Sequence, residues 1–195
     1  SEHMGNKMNL FVFGLGYSAT HFIRRHRNEF VSVLGTVRSA EKAEEFSADG
    51  IRTFVWDGTA PDAAITAALM DIDQIIVSVP PGAEGDPVAR AFGEAIAPAP
   101  LLRTIVYLST VGVYGDRGGE WVDETAPLDP VNDRSRWREH AEREWMALVQ
   151  QCGSSLHILR LAGIYGPGRN AFENLRNGRA KRVIKPGQVF NRIHV

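Results

Sequence analysis

The stretch Asn9 to Ala19, NLFVFGLGYSA, constrains the fold more than any other part of the chain. An unbroken apolar run, Leu10 to Phe13, empties directly into a glycine-rich turn. A short apolar run bounded by glycine suits a parallel strand covered on both faces. The segment after it, Tyr17 to Arg27, reads as a helix with Ala19, Phe22 and Ile23 turned inward. Strand, Gly-x-Gly-x-x-Ala and helix, in that order, is an arrangement that binds a dinucleotide. Gly14 permits the tight turn, Gly16 lets the backbone approach a pyrophosphate with no Cβ in the way, and Ala19 lets helix and strand pack closely. Tyr17 and Ser18 open the helix, whose free amide donors and partial positive charge suit the anion. Glycine also serves ordinary turns, so the spacing gains its meaning from closing the first strand and opening the first helix.

The next strand, Phe30 to Arg38, bears on the choice of cofactor. In this arrangement an acidic side chain about 20 residues beyond the glycines accepts from the adenine-ribose hydroxyls, whereas Arg there accommodates a 2′-phosphate. Here the strand ends in Arg38-Ser39, with Lys42 one turn into the following helix and no acid at the tip. That favours NADP and leaves NAD possible. The plainer reading is a solvated helix start, Arg38 and Lys42 beside Glu41, Glu44 and Glu45. The third strand, Arg52 to Trp56, ends in Asp57-Gly58. Its carboxylate is either an acceptor for the adenine amino group or half of an everyday Asp-Gly turn.

Ala60 to Met70 reads as a small helix and Gln74 to Val79 as the fourth strand, stopped abruptly by Pro80-Pro81-Gly82. Val79 and Pro80 stand where the loop of this architecture passes under the cofactor ribose and pyrophosphate. Pro87 to Ile96 is the next helix, with Ala97-Pro98-Ala99-Pro100 as connector. This alternation predicts an α/β fold, a right-handed parallel sheet with helices on both faces, and with the dinucleotide-binding turn the expectation is a doubly wound sheet of strand order 3-2-1-4-5-6. The fifth strand, Arg103 to Leu108, leads into Ser109-Thr110-Val111-Gly112-Val113-Tyr114-Gly115-Asp116. Hydroxyls at the carboxyl end of a central parallel strand lie at the crevice where ligands bind, although Ser and Thr also cap local backbone.

A polar loop, Arg117 to Asp133, is long enough to cover a pocket. Arg134 to Gln151 reads as a charged helix whose Trp137, Ala141, Trp145 and Leu148 form a core stripe. His140 lies one step off that stripe and reads as a surface residue, and no metal is expected. Ser155 to Leu161 is a sixth strand, and the tail from Asn170 holds a short basic helix and candidate strands at Arg182 to Lys185 and Val189 to Val195.

With 22 basic and 23 acidic residues, the charge balance gives no footing for nucleic acid or a membrane surface. Cys152 is the only cysteine, so no internal disulfide can form, and with no secretory leader the chain is expected in the reducing cytoplasm. No apolar run approaches the ~20 residues of a membrane span. Ser1 to Met4 reads as an expression remnant.

STVGVYGD at Ser109 to Asp116, the helix carrying Arg138 and Glu142, LRLAGIYGPGR at Leu159 to Arg169 and the closing RIHV together resemble a known family. It is the extended short-chain dehydrogenase/reductase superfamily, in its NAD-dependent epimerase/dehydratase group. GLGYSA, YLSTVGVYGD and WVDET are similar to an atypical YeeZ-like subgroup. The resemblance implies a dinucleotide-binding domain over 5–168 and the start of a small substrate lobe over 169–195, cut short where relatives continue. It also implies an active site that couples a Ser or Thr after the fifth strand to a Tyr and a Lys four residues apart on the next helix. The Tyr acts as acid or base, and the Lys lowers its pKa while holding the nicotinamide ribose.

On that pattern Thr110 takes the hydroxyl position, Arg138 the Lys position and Arg134 the Tyr position, so the proton-transferring phenol is missing. Arg138 still has donors for a ribose, but a guanidinium stays protonated and cannot serve as base. Tyr114 is the nearest phenol in sequence, either a catalytic substitute or a structural part of the Val-Tyr-Gly turn. Two functions follow from the resemblance. One is an oxidoreductase or epimerase acting with NADP or NAD on a sugar-like or nucleotide-sugar substrate. The other is a non-catalytic NADP(H)-binding redox sensor that has lost the Tyr/Lys pair. The family often dimerises through the helices flanking the fifth strand, so a homodimer is expected.

Overall fold

The computed structural model describes residues 7–110, 121–123, 133–161 and 192–194. The first strand, β1 (Met8–Phe13), is buried along its last four residues. Phe11 and Phe13 join one apolar cluster, Leu10 and Val12 the other, as the two-residue period of a strand requires. After it come α1 (Tyr17–Arg25), β2 (Phe30–Val37), α2 (Ala40–Ala48), β3 (Arg52–Val55), α3 (Ala63–Ala68) and β4 (Gln74–Val77). Then follow α4 (Pro87–Ile96), β5 (Thr104–Thr110), β6 (Trp121–Asp123), α5 (Asp133–Val149), β7 (Ser155–Leu161) and β8 (Arg192–His194). Six strands form one sheet, β3-β2-β1-β4-β5-β7, in which every pairing is parallel. This is the doubly wound order that the sequence predicts. β6 and β8 pair antiparallel as a separate ribbon.

The helices divide between the faces of the sheet. Ile65 of α3, Val88, Phe92 and Ile96 of α4, and Ala141, Trp145 and Val149 of α5 pack on the face of Phe11, Phe13, Ile75, Val77 and Tyr107. Ala19 and Ile23 of α1 and Phe46 of α2 pack on the face of Leu10, Val12, Val33 and Ile76. Each large side chain fully withdrawn from water contributes about 1.5–3 kcal/mol, which is why these alternating residues drive the fold. Among the described residues no helix is long and apolar enough to cross a membrane.

Local chemistry sets the boundaries. α4 begins at Pro87 because the Asp86 carboxylate accepts from the Val88 and Ala89 amides and proline suits the first helical position. α3 starts later than the expected Ala60, since its cap is Asp62, which accepts from the Ile65 amide at 3.0 Å. α1 ends at Arg25, two residues before the expected Arg27, because His26 leaves helical backbone at φ −114 and a 3-10 turn follows. β5 runs past Leu108 and pairs Ser109 with Arg160 and Thr110 with Leu161. The polar loop expected over 117–133 contains β6. The basic helix after Asn170 and the Arg182 to Lys185 strand fall outside the described residues.

Candidate functional site

A cavity of about 220 Å³ opens beside the carboxyl ends of β1, β2, β3 and β4. Its walls are the Gly14-Leu15-Gly16 turn, Thr36 to Arg38, Trp56 with Gly58, and Ser78 to Pro80. Trp56 is 6% exposed and packs against Phe13 and Phe92, with its indole N–H donating to the Ala60 carbonyl at 2.7 Å. This side of the cavity is therefore held by ring packing and a hydrogen bond.

The glycine turn is tied to β2 and β4. The Gly14 amide donates to Thr36 Oγ1 at 2.8 Å, the Leu15 amide to the Thr36 carbonyl at 2.9 Å, and the Ser78 amide to the Phe13 carbonyl at 2.8 Å. Gly14 has φ +92, and a Cβ there would lie 3.1 Å from the Val79 nitrogen and Cγ2. Both conformation and space therefore demand glycine. Gly16 is different: its φ of −141 is open to any residue and a Cβ would meet nothing within 4 Å. Nothing in the described protein requires glycine at 16, and the space beside it is open.

That space faces a helix end that is left uncapped. Ser39 caps α2, Asp62 caps α3 and Asp86 caps α4, but Gly16 offers α1 no side-chain cap and its first turn carries no acid. The first amides of a helix need partners, and an anion supplies them. Arg24 and Arg25 in the last turn of α1 further complement the helix dipole. Tyr17 and Ser18 supply the backbone of that first turn, while Ala19, 3% exposed, packs into the core as the close helix–strand contact requires.

The remaining expected residues separate. Arg38 lines the cavity, makes no ion pair with any described residue, and places Nη2 3.9 Å from where a Cβ of Gly58 would sit. Ser39 and Lys42 are committed to α2: the Ser39 hydroxyl accepts from the Lys42 amide at 3.3 Å, and Lys42 Nζ pairs with Glu45 at 3.2 Å. Asp57 accepts from the Thr59 hydroxyl at 2.7 Å and the Thr59 amide at 2.9 Å. These bonds, joined by the charge of Arg38, hold its carboxyl below the ordinary range. Gly58, at φ +87, turns the chain along the cavity edge.

At the other end of the sheet edge, Arg138 on α5 donates from Nη1 to the Leu108 carbonyl at 2.9 Å and to the Tyr107 hydroxyl at 3.4 Å. Tyr107 is fully buried, and burial pushes its phenol above the ordinary range, so it cannot act as a base near neutral pH. Thr110 is the last residue of β5, and the Thr110 side chain and the whole of Tyr114 lie outside the described structure.

Sequence reasoning missed two features. Gly35, inside β2, makes room for Leu15: a Cβ would lie 2.7 Å from Leu15 Cγ. A glycine within a strand pattern is the available sign of such an approach. The second is a buried cluster in which Arg160 Nη2 pairs with Glu142 Oε1 at 2.6 Å and the Ser109 hydroxyl donates to Glu142 Oε2. Glu142 is 0% and Arg160 3% exposed. An arginine inside the apolar strand LHILRL and an acid beside Ala141 of the core stripe were the signals available.

Comparison with known proteins agrees with this architecture. The sequence model of the NAD dependent epimerase/dehydratase family matches residues 11–188. Protein YeeZ of Escherichia coli (strain K12) is 37% identical over 109 residues, which cover 53% of this chain and 38% of that relative. The structure of a functionally unknown conserved protein from Silicibacter pomeroyi DSS is similar at a TM-score of 0.70 and 40% identity, covering 84% of this chain and 56% of that one. Yeast methylglyoxal/isovaleraldehyde reductase Gre2, solved with NADPH, shares the fold at a TM-score of 0.64 and 17% identity, over 82% of this chain and 59% of its own. The chain thus spans 38% of the curated relative and about half of the solved ones.

Proposed function

The chain belongs to the NAD dependent epimerase/dehydratase family, and on that premise we propose that it binds a nicotinamide dinucleotide, NADP in preference to NAD, across Gly14 to Ala19. The observation that carries the reading is the uncapped amino end of α1, facing space that Gly16 leaves free. Backbone amides of that first turn hold the diphosphate. Arg38, unpaired among the described residues and at the cavity wall, meets the 2′-phosphate. Ser39 and Lys42 contribute by presenting the start of α2, and Asp57 and Gly58 border the adenine side. Val79 and Pro80 support the diphosphate from β4. When bound, the coenzyme supplies hydride chemistry.

The reaction we propose is that of an oxidoreductase or epimerase on a sugar-like or nucleotide-sugar substrate, with Thr110 as the hydroxyl at the end of β5 and Arg138 beside the nicotinamide ribose. Tyr114 is the candidate proton carrier. A cytoplasmic homodimer, without nucleic acid or membrane partners, belongs to the same proposal. A second reading has its own support: Arg138 spends a donor on the Leu108 carbonyl and Tyr107, and the family's Tyr position holds Arg134. On that reading the protein is a non-catalytic NADP(H) sensor.

Titration of the full-length protein with NADPH, NADP, NADH and NAD tests binding, and an Arg38→Ala change is expected to weaken NADPH about tenfold or more while sparing NADH. Equal affinity for NADPH in parent and variant would overturn the NADP assignment. Coenzyme turnover across sugar nucleotides, with Thr110→Ala and Tyr114→Phe beside the parent, separates enzyme from sensor. Binding without turnover eliminates the enzyme.

A further inference from the structure

The wall of the cavity formed by Ser78, Val79 and Pro80 continues into a turn that reaches α5. Gly82 and Gly85 exchange both backbone hydrogen bonds, at 3.1 and 3.0 Å, and close the turn on itself. Immediately after it, the Asp86 amide donates to Glu144 Oε1 at 2.9 Å, a contact between residues 58 positions apart. Gly85 sits at φ +107, and a Cβ there would fall 2.8 Å from Glu144 Oε1 and 3.1 Å from Oε2. The left-handed backbone at Gly85 favours glycine, and the missing Cβ lets the Glu144 carboxylate lie directly against the turn.

Glu144 is itself steadied one turn earlier on α5, where His140 Nε2 lies 3.4 Å from the same oxygen. The arrangement has an electrostatic cost. The Asp86 carboxylate is fully buried, and both its burial and the neighbouring charge of Glu144 disfavour its ionised form. A hydrophobic residue at 144 would remove the like charge but also the acceptor for the Asp86 amide.

We propose that Glu144 is a positioning residue for the coenzyme, acting through the Gly82–Gly85 turn to hold Val79 and Pro80 at the cavity wall. This rests on the coenzyme reading above. The path is short: Glu144 fixes the Asp86 amide, Asp86 follows the closed turn, and the turn leads back to Val79. Val79 in turn stands against Gly14, whose missing Cβ would come within 3.1 Å of it. Loosening the far end of the turn therefore disturbs the side of the cavity opposite Arg38.

The test compares Glu144→Ala and Glu144→Gln with the parent in the full-length protein, titrated with NADPH and, separately, with 2′,5′-ADP, which carries the 2′-phosphate but no nicotinamide half. Glu144→Ala is expected to weaken NADPH about tenfold and to leave 2′,5′-ADP within about twofold. Glu144→Gln, which keeps an acceptor for the Asp86 amide, is expected to restore NADPH affinity to within about twofold of the parent. Retained 2′,5′-ADP binding shows that the alanine variant is folded. A lowered Tm with unchanged NADPH affinity would make Glu144 merely structural and overturn the proposal, as would equal weakening of both ligands. A parent that binds neither coenzyme defeats the coenzyme reading and this one together, whereas a binding parent with an unaffected alanine variant defeats this one alone.

Discussion

The carboxyl ends of β1 and β2 and those of β5 and β7 lie along the same edge of one parallel sheet, but they use their polar groups differently. At the first, α1 begins without a side-chain cap, Gly16 leaves open space, and Arg38 lines the cavity with no ion pair among the described residues. At the second, Ser109, Glu142 and Arg160 satisfy one another out of reach of water, and Arg138 turns back to the Leu108 carbonyl. Donors that stay unspent beside a cavity are suited to a ligand. Donors that close on a buried carboxylate are suited to holding α5 on β5 and β7.

The largest effect is expected where that closure is broken. Glu142→Leu leaves Arg160, 3% exposed, without its carboxylate. Removing one partner of a buried pair costs about 3–5 kcal/mol, read from the shift in a denaturant unfolding curve. Adding Arg160→Met should recover much of the loss, because two well-packed apolar groups replace the pair. A single-variant loss below about 1 kcal/mol would show that the cluster does little to hold the helix.

The buried charge at Asp86 gives a pH-dependent version of the same point. Burial, first of all, raises its carboxyl from 3.8 to about 6. The native protein then binds that proton more tightly than the unfolded chain does, so its contribution is greatest at acid pH. It declines as pH rises through the window between the two values and is lost above about 6. The decline is at most about 3 kcal/mol, and Asp86→Asn, which keeps a good helix cap, should abolish it. Unfolding curves taken between pH 4 and 7 read the difference, and parallel profiles for parent and variant would show that the carboxyl titrates normally.

The first of these regions was readable in the sequence and the second was not, for a physical reason. The glycine turn is legible because its signature is contiguous: Gly14 and Gly16 stand between a strand and a helix that carry their own periods, although the partners of Gly14, Thr36 and Val79, come from elsewhere in the chain. Helix α4 was equally plain, because its cap Asp86 and its Pro87 are adjacent. The parallel sheet followed from the alternation of units, and its order from the dinucleotide-binding arrangement that opens the chain. Glu142 and Arg160 instead join residues 18 apart on different elements, and Ser109 lies 33 from Glu142. Only the tertiary fold decides that they meet. The Glu144 contact with Asp86 spans 58 positions and was invisible for the same reason. The ribbon was half legible: β8 lies within the strand expected over Val189 to Val195, but its partner β6 lies in a segment that read as loop, and only the tertiary fold pairs them.

A moderate effect is expected at Gly14, where fold and binding are entangled. Gly14→Ala forces a Cβ onto backbone at φ +92 and against Val79 at 3.1 Å. The expected cost is about 1–2 kcal/mol of stability, together with loss of NADPH binding. Because both readouts move, this variant cannot tell a binding turn from a structural one.

Gly16 can, and its effect on stability is expected to be the smallest. Its backbone is in a region open to any residue and a Cβ would touch nothing in the described protein, so Gly16→Ala should change the unfolding free energy by no more than about 0.5 kcal/mol. The same methyl group stands where a diphosphate would approach the first amides of α1, and NADPH affinity should fall about tenfold or more. If Gly16→Ala binds NADPH as the parent does, the open space is not reserved for a ligand. The uncapped helix end is then only a frayed turn, and the distinction between the two ends of the sheet edge fails at its most exposed residue. If stability falls as far as at Gly14, a contact within the protein, rather than a coenzyme, is what requires glycine there.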